Sequence, residues 1–313
     1  MTPPVVVWIN QSAGSGRGKL WGERTLSTLR AAGVAALPIM TSDQADADVQ
    51  SRNALTDGAR ALICVGGDGT VHYGLQVVAG TGVPFGIVPA GSGDDIARAA
   101  GMVQSDPTRC LAQIVRGLAM TSRELPLIDL GRATSMPSAD VAIDRWFGAT
   151  LYAGFDARVN ARANGMNWPP GRARYPVAML AELATFVPSP FAITLDDGTT
   201  WQQDACVAVV ANGSSYGGGM QVVPHARVDD AMLDLMLLDG VSRTELLKVF
   251  PRVYRGTHGT HPAVNFHHSR TITLDAPGLE AWADGEHVGT LPLAIEAVPQ
   301  ALTLLRPSAP AGS

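Results

Sequence analysis

Ala61-Leu62-Ile63-Cys64-Val65-Gly66-Gly67-Asp68-Gly69-Thr70 decides the fold. Five apolar residues read as a buried strand. They run directly into glycines, a carboxylate and a hydroxyl. Glycines let a backbone turn sharply and come close to a phosphate. The segment after them reads as a helix start, whose amides favour anions. Asp68 then stands where a divalent cation would bridge phosphates. The plainer reading is a tight strand–helix turn capped by Asp68.

A second turn of the same logic follows the next apolar run. It is Pro89-Ala90-Gly91-Ser92-Gly93-Asp94-Asp95, about 25 residues on. The first apolar run, Val5–Ile9, also ends in small residues, Asn10 to Lys19. That loop is not a P-loop, because Ala13 and Leu20 occupy the positions of the first Gly and the Ser/Thr. It reads as a further nucleotide-facing loop.

Strands are expected at Val5–Ile9, Ala35–Met40, Ala59–Val65 and Pro84–Val88, with helices at Trp21–Ala32, His72–Ala79 and Asp94–Ala100. Apolar strands alternating with helices predict a parallel sheet covered on both faces. Ligands of such sheets bind at the carboxyl ends of the strands. Beyond Leu125 the rhythm changes. Leu127–Leu130, Trp146–Tyr152, Phe191–Leu195, Cys206–Ala211, Met232–Leu238, Thr271–Asp275 and Ala281–Ala283 read as strands, with helices at Val177–Phe186 and Thr244–Tyr254. This predicts an antiparallel β-sandwich. The expected domains are an α/β nucleotide-binding domain, 1–125, rejoined by 292–307, and a sandwich substrate domain, 126–291.

The composition of the 313 residues, 46% hydrophobic and 16% charged, is globular. A net charge of −5 argues against a nucleic-acid partner. Lys19 and Lys248 are the only lysines, so arginine is the default phosphate ligand. Cys64, Cys110 and Cys206 form no C-x-x-C pair and fit a reducing compartment. Residues 1–9 lack the charged opening and long apolar run of a secretory leader. No apolar run approaches the ~20 residues of a membrane span. The expectation is a cytoplasmic protein, peripheral where it meets the inner face of a membrane.

Ala283-Asp284-Gly285-Glu286 is by itself a hairpin turn. In order with Asn10–Gly16, Gly66–Thr70 and Pro89–Asp95, it completes a set that resembles the diacylglycerol kinase catalytic-domain family, with its bacterial lipid kinases and the sphingosine and ceramide kinases. Leu127–Gly131, Asn212 with Gly217–Gly219, and Pro224 to Asp234 extend the resemblance from Val5 to Pro307. It implies an ATP- and Mg²⁺-dependent kinase that phosphorylates a lipid hydroxyl, diacylglycerol first, with nucleotide between the domains and a homodimer left open. It implies catalytic roles for Glu286 as general base, Asp68 and Asp95. The nucleotide set it implies is Asn10, Ser12, Gly14, Gly16, Thr41, Gly66, Gly67, Asp68, Gly69, Thr70, Gly91 and Ser92. A structural cation would take the Asp230 carboxylate and the carbonyls of Arg227 and Met232. The NAD-kinase type shares GGDGT, but its downstream Asn-Glu pair is not found. A non-catalytic sensor would have little reason to cluster Asp68, Asp95 and Glu286.

The sequence departs from the family pattern at Gln11, His72, Tyr73, Asp94 and Ala231. Asp94 adds negative charge beside the expected phosphate site, which Mg²⁺ or an arginine would have to offset. The histidines, including His258, His261, His267 and His268, are expected in loops or on the surface, with no metal pattern. Val177–Phe186 is expected as a core helix. The alternative is a membrane-contacting edge, with Arg172 and Arg174 meeting anionic headgroups.

Overall fold

The computed structural model describes residues 2–41, 43–102, 106–137, 139, 141–169 and 173–308. Arg172 and the tail beyond Ser308 lie outside them. The chain divides into two compact units. The first is Met1–Leu130 with Val228–Ala231 and Val298–Ser313; the second is Gly131–Arg227 with Met232–Ala297.

The first unit alternates strand and helix: β1 (Val5–Ile9), α1 (Ala13–Ala31), β2 (Ala36–Ile39), α2 (Gln44–Thr56), β3 (Leu62–Gly66), α3 (Asp68–Val78), β4 (Phe85–Pro89), α4 (Asp95–Ala99) and α5 (Pro107–Leu118). The strands are parallel, in the order β2-β1-β3-β4. Every residue of β1, β3 and β4 is buried, which is why each reads as an unbroken apolar run. The order reverses between β1 and β3, so the crevice outside their carboxyl ends is a topological switch point. A late segment completes this unit. Leu304 bridges Phe85 in parallel, and the Leu305 N–H donates to the Phe85 carbonyl at 2.8 Å.

The second stretch contains β5 (Leu127–Ser135), β6 (Asp144–Phe147), β7 (Thr150–Gly154), α6 (Phe155–Gly165), α7 (Arg174–Thr185), β8 (Ser189–Leu195), β9 (Thr200–Ala211), β10 (Leu233–Asp239), α8 (Arg243–Val253), β11 (Val264–Ser269), β12 (Thr271–Asp275), β13 (Glu280–Ala283), β14 (Glu286–Thr290) and β15 (Leu293–Thr303). Its sheet runs β14-β13-β7-β9-β8-β12-β15-β5-β6, with β10 paired to β9 and β11. The antiparallel sandwich expected from sequence is present. β10 and the Ala205–Ala211 half of β9 are buried on both faces. Ala208, Val210, Leu233, Leu235 and Leu237 fill one core; Val207, Val209, Met236 and Leu238 fill another with Tyr152 and Phe155.

Three expectations are corrected. Trp146–Tyr152 is two strands, because the chain turns at Gly148-Ala149. The histidines are not all in loops or on the surface. His258 is buried on a short 3₁₀ turn, His258–Thr260, and His267 is half-buried on β11, whereas His268, also on β11, is exposed as expected. Finally, Val177–Phe186 is a core helix on one face only: Leu183 and Phe186 join the core of Tyr152 and Phe155, with Met179 packed against it, while α7 exposes Val177 and Leu180.

Candidate functional site

Because β1, β3 and β4 are neighbours, the turns that follow them meet. The Asn10 amide donates to Thr70 Oγ1 at 3.0 Å, and Asn10 Oδ1 accepts from the Ser12 N–H and hydroxyl. The Ala90 N–H donates to the Gly66 carbonyl at 2.8 Å. Arg17 joins the first turn to the third, donating to the carbonyls of Gly14 and Gly91. The close approach is written in the glycines. A Cβ on Gly67 would sit 3.0 Å from Gly91 Cα, one on Gly91 would sit 2.5 Å from Gly67 Cα, and one on Gly14 would sit 2.0 Å from the Ala90 carbonyl oxygen.

Asp68 opens α3, and its Oδ1 accepts the Ile96 N–H at 3.0 Å, holding the start of α4 against the β3 turn. Asp95 is buried and paired with Arg98, which also donates to the Gly93 carbonyl at 3.0 Å. Asp94 has left-handed φ/ψ (54°, 38°), which Asp and Asn tolerate better than other side chains. Its Oδ1 accepts the Gly91 N–H at 2.9 Å. Burial raises its carboxyl above the ordinary range, while the Gly91 N–H and the guanidinium groups of Arg17 and Arg98 act against that rise. The compensating arginines that this departure called for are therefore in place. Ser92 and Gly16 are exposed. Thr41 follows β2, where its hydroxyl accepts the Asp43 N–H at 3.1 Å.

In the second unit, Asp284 and Gly285 form the two-residue turn between β13 and β14, at φ 52° and 92°. The Asp284 carboxylate accepts N–H groups from Gly148, Ala149 and Thr150 at 2.8, 2.9 and 3.2 Å. The Asn160 amide donates to the Gly285 carbonyl at 3.2 Å. Asn212, in turn, donates its side-chain amide to the Gly148 carbonyl at 2.9 Å. Glu286, half-buried, is the first residue of β14 and pairs with Ala283. The turn is thus clamped from two sides, and Glu286 extends from a rigid base.

Asp230 lies in the turn Val228–Ala231 of the first unit. Asp129, to which the sequence assigned no role, organises that unit: its N–H donates to the Val228 carbonyl at 2.7 Å, and its carboxylate accepts the N–H of Ala231 at 2.7 Å and of Gln300 at 2.8 Å. Ala231 has φ 62°, which costs a non-glycine residue about 1–2 kcal/mol. This explains why the family pattern has Gly there.

Asp156, also unread in the sequence, lies on α6 and accepts a hydrogen bond from the Tyr216 hydroxyl. It lines a cavity of about 30 Å³ together with apolar side chains and His258. Burial pushes its carboxyl up to about 6, against the opposing pull of Tyr216. The raised value means that the folded state holds the proton more tightly than the unfolded chain. This contribution is full below the ordinary value near 3.8 and is lost as pH rises through 6. Asp156→Asn is expected to remove about 1–2 kcal/mol of that pH dependence, less than full linkage because part of the residue meets solvent. Denaturant unfolding from pH 4 to 7 measures it, and parallel curves for the two proteins would refute it.

Residues 4–124 match the model for "Diacylglycerol kinase catalytic domain", and 149–306 match "YegS C-terminal NAD kinase beta sandwich-like domain". A diacylglycerol kinase of Mycobacterium tuberculosis is 38% identical over 303 residues, covering 97% of this chain and 95% of that protein. A protein of Shewanella frigidimarina described as "Probable lipid kinase YegS-like" is 26% identical over 261 residues, covering 81% and 79%. Among solved structures, a diacylglycerol kinase of Bacillus anthracis superposes with a TM-score of 0.73 at 21% identity, over 97% of this chain and 96% of that one. An NAD kinase of Archaeoglobus fulgidus in complex with ATP shares the fold, with a TM-score of 0.55 at 13% identity over 98% and 94%.

Proposed function

We propose, for a chain that belongs to the family of diacylglycerol and YegS-like lipid kinases, that it transfers the γ-phosphate of ATP to the hydroxyl of diacylglycerol, giving phosphatidic acid. The observation that carries this reading is the meeting of three glycine turns at the reversal point of one parallel sheet. Gly14, Gly67 and Gly91 keep side chains out of a cradle floored by backbone, which fits phosphates. Asn10, Ser12, Gly16, Thr41, Gly66, Gly69, Thr70 and Ser92 complete the proposed nucleotide set.

Phosphoryl transfer asks little covalent chemistry of a protein. It needs the reacting oxygens in line, the spreading charge neutralised and the acceptor proton removed. Mg²⁺, when bound, would supply charge neutralisation; Asp68 and Asp95 are the carboxylates proposed to hold it. Glu286 is proposed to take the acceptor proton. A structural cation is proposed to take the Asp230 carboxylate and the Arg227 and Met232 carbonyls, oxygen ligands of the kind that suit a hard cation. At saturating Mg²⁺, Asp230→Ala is expected to lose about 5 °C of metal-dependent melting temperature. Equal Mg²⁺ shifts in both proteins would remove the site.

The deciding assay supplies labelled ATP with diacylglycerol, phosphatidylglycerol, a sphingoid base, ceramide or NAD, and identifies product by mass spectrometry. Phosphatidic acid as the main product is expected. Label appearing only in NADP would overturn the reading.

A further inference from the structure

The glycine turns of the first unit carry acids where a polyphosphate would add more negative charge. Asp68, Asp94 and Asp95 stand at the starts of α3 and α4. The cations on the same segments are Arg17, Lys19 and Arg98. Arg98 is committed to Asp95 and to the Gly93 carbonyl. Lys19 is two positions past Arg17 on α1, and residues two apart on a helix do not share a face. Arg17 is the cation left to meet a phosphate.

The backbone aims it there. Gly14, Ser15 and Gly16 are all left-handed, at φ 55°, 59° and 95°, and Ser15 holds a conformation that side chains disfavour. The next residue, Arg17, folds back over the first turn. Its Nε donates to the Gly14 carbonyl at 3.3 Å, and its Nη2 donates to the Gly91 carbonyl. Nε lies 2.7 Å and Nη2 3.0 Å from where a Cβ on Gly14 would sit, so the guanidinium rests against backbone that Gly14 keeps bare. A guanidinium has five N–H donors in one plane, and these bonds use two of them. The side chain is exposed. Both acceptors are neutral carbonyls, and Asp94, which feels the charge of Arg17, gives its Oδ1 to the Gly91 N–H. Among the described residues no carboxylate pairs with the Arg17 fork.

We infer that Arg17 is the side chain that holds the terminal phosphates of ATP. Its reach to Gly91 puts the guanidinium beside the turn of Asp94 and Asp95, and Asp95 with Asp68 is proposed to hold Mg²⁺. The phosphates that share a cation with these carboxylates are the terminal ones. A planar fork matches two phosphate oxygens, and the bonds are charge-assisted, unlike those to carbonyls. The inference deepens the nucleotide part of the kinase reading and rests on it.

The test compares nucleotides that differ in their phosphates. Calorimetry with full-length protein and Mg²⁺ measures ATP, ADP and AMP on wild type, Arg17→Gln and Arg17→Lys. Arg17→Gln is expected to weaken ATP about 10- to 100-fold, ADP less, and AMP by less than about threefold. Arg17→Lys keeps the charge but loses the fork, and its ATP affinity should fall between the two. Inorganic tripolyphosphate should compete with ATP on wild type and lose that ability in Arg17→Gln. Melting curves without nucleotide should coincide, because the side chain is exposed. A residue that only staples the first turn to the third would weaken all three nucleotides by one factor, and that result overturns the inference, as does unchanged ATP affinity. Should Arg17→Gln fail to fold, Arg17→Lys carries the comparison: a loss that grows from AMP to ATP supports the inference, and an equal loss overturns it. Lipid product from wild type beside unchanged ATP affinity in Arg17→Gln would strike the inference and leave the kinase reading standing. A phosphate-dependent loss without any lipid product would do the reverse.

Discussion

Glu286→Gln is expected to lower kcat by ~10²–10⁴ with ATP affinity nearly intact, the usual worth of a positioned general base. Glutamine keeps the size and the β14 pairing but cannot accept the proton. The supporting frame should survive, because it is built by Asp284 and Asn160 rather than by Glu286. Asp284 is a poor substitute base: its oxygens already accept three backbone N–H groups that hold the turn in place. Steady-state kinetics on the lipid acceptor and calorimetry with ATP make the measurement. Full activity in Glu286→Gln would place the base elsewhere.

Gly67→Val is expected to weaken ATP binding about 100-fold or more. Gly67 has an ordinary extended conformation, φ −95° and ψ −170°, so valine meets no backbone penalty there. What it meets is the Gly91 backbone, 3.0 Å from its Cβ. The β3 and β4 turns must then separate or the cradle must fill. Either loses several charge-assisted hydrogen bonds to phosphate, each worth about 1.5–3 kcal/mol. Calorimetry reads the affinity, and a melting curve shows whether the core is intact. Unchanged affinity would mean that the nucleotide lies elsewhere.

The first unit was legible where burial is two-sided. β1 has the expected bounds; β3 begins three residues and β4 one residue later than expected, and each ends one residue further on. α2 was missed. Its alanines, aspartates and glutamines carry no clear apolar stripe, and its start depends on Asp43 accepting the Ala45 and Asp46 N–H groups. The break between β6 and β7 has a cause 136 positions away, where Asp284 captures the Gly148 N–H. β11 was hidden because Asn265, His267 and His268 read as a loop until β10 pairs with them. Composition alone does not say which way α7 faces; the arginines of α6 draw Glu182 inward.

Motif order brought out most of the candidate site. Asn10 with Thr70, Gly67 with Gly91, and Asp68 with Ile96 are contacts between segments that the sequence had already singled out. Asp129 and Asp156 escaped because a lone aspartate near the start of a strand or in the first turn of a helix has no pattern. Their roles appear only when Gln300 and Tyr216 arrive from far along the chain.

The late segment that joins Phe85 has a consequence for how the protein is made. Arg306 Nε donates to the Ala100 carbonyl across 206 positions, and the Leu304 N–H donates to the Pro126 carbonyl. On the ribosome, β1 to β4 emerge first, yet the residues that seal their edge are translated only after the whole sandwich. The nascent first unit therefore waits with the outer side of β4 unpaired, and an unpaired strand edge is what chaperones shield and neighbouring nascent chains invade. The first unit is finished only late in synthesis, so a stall before Leu304 would release a chain whose earliest-made sheet is still open.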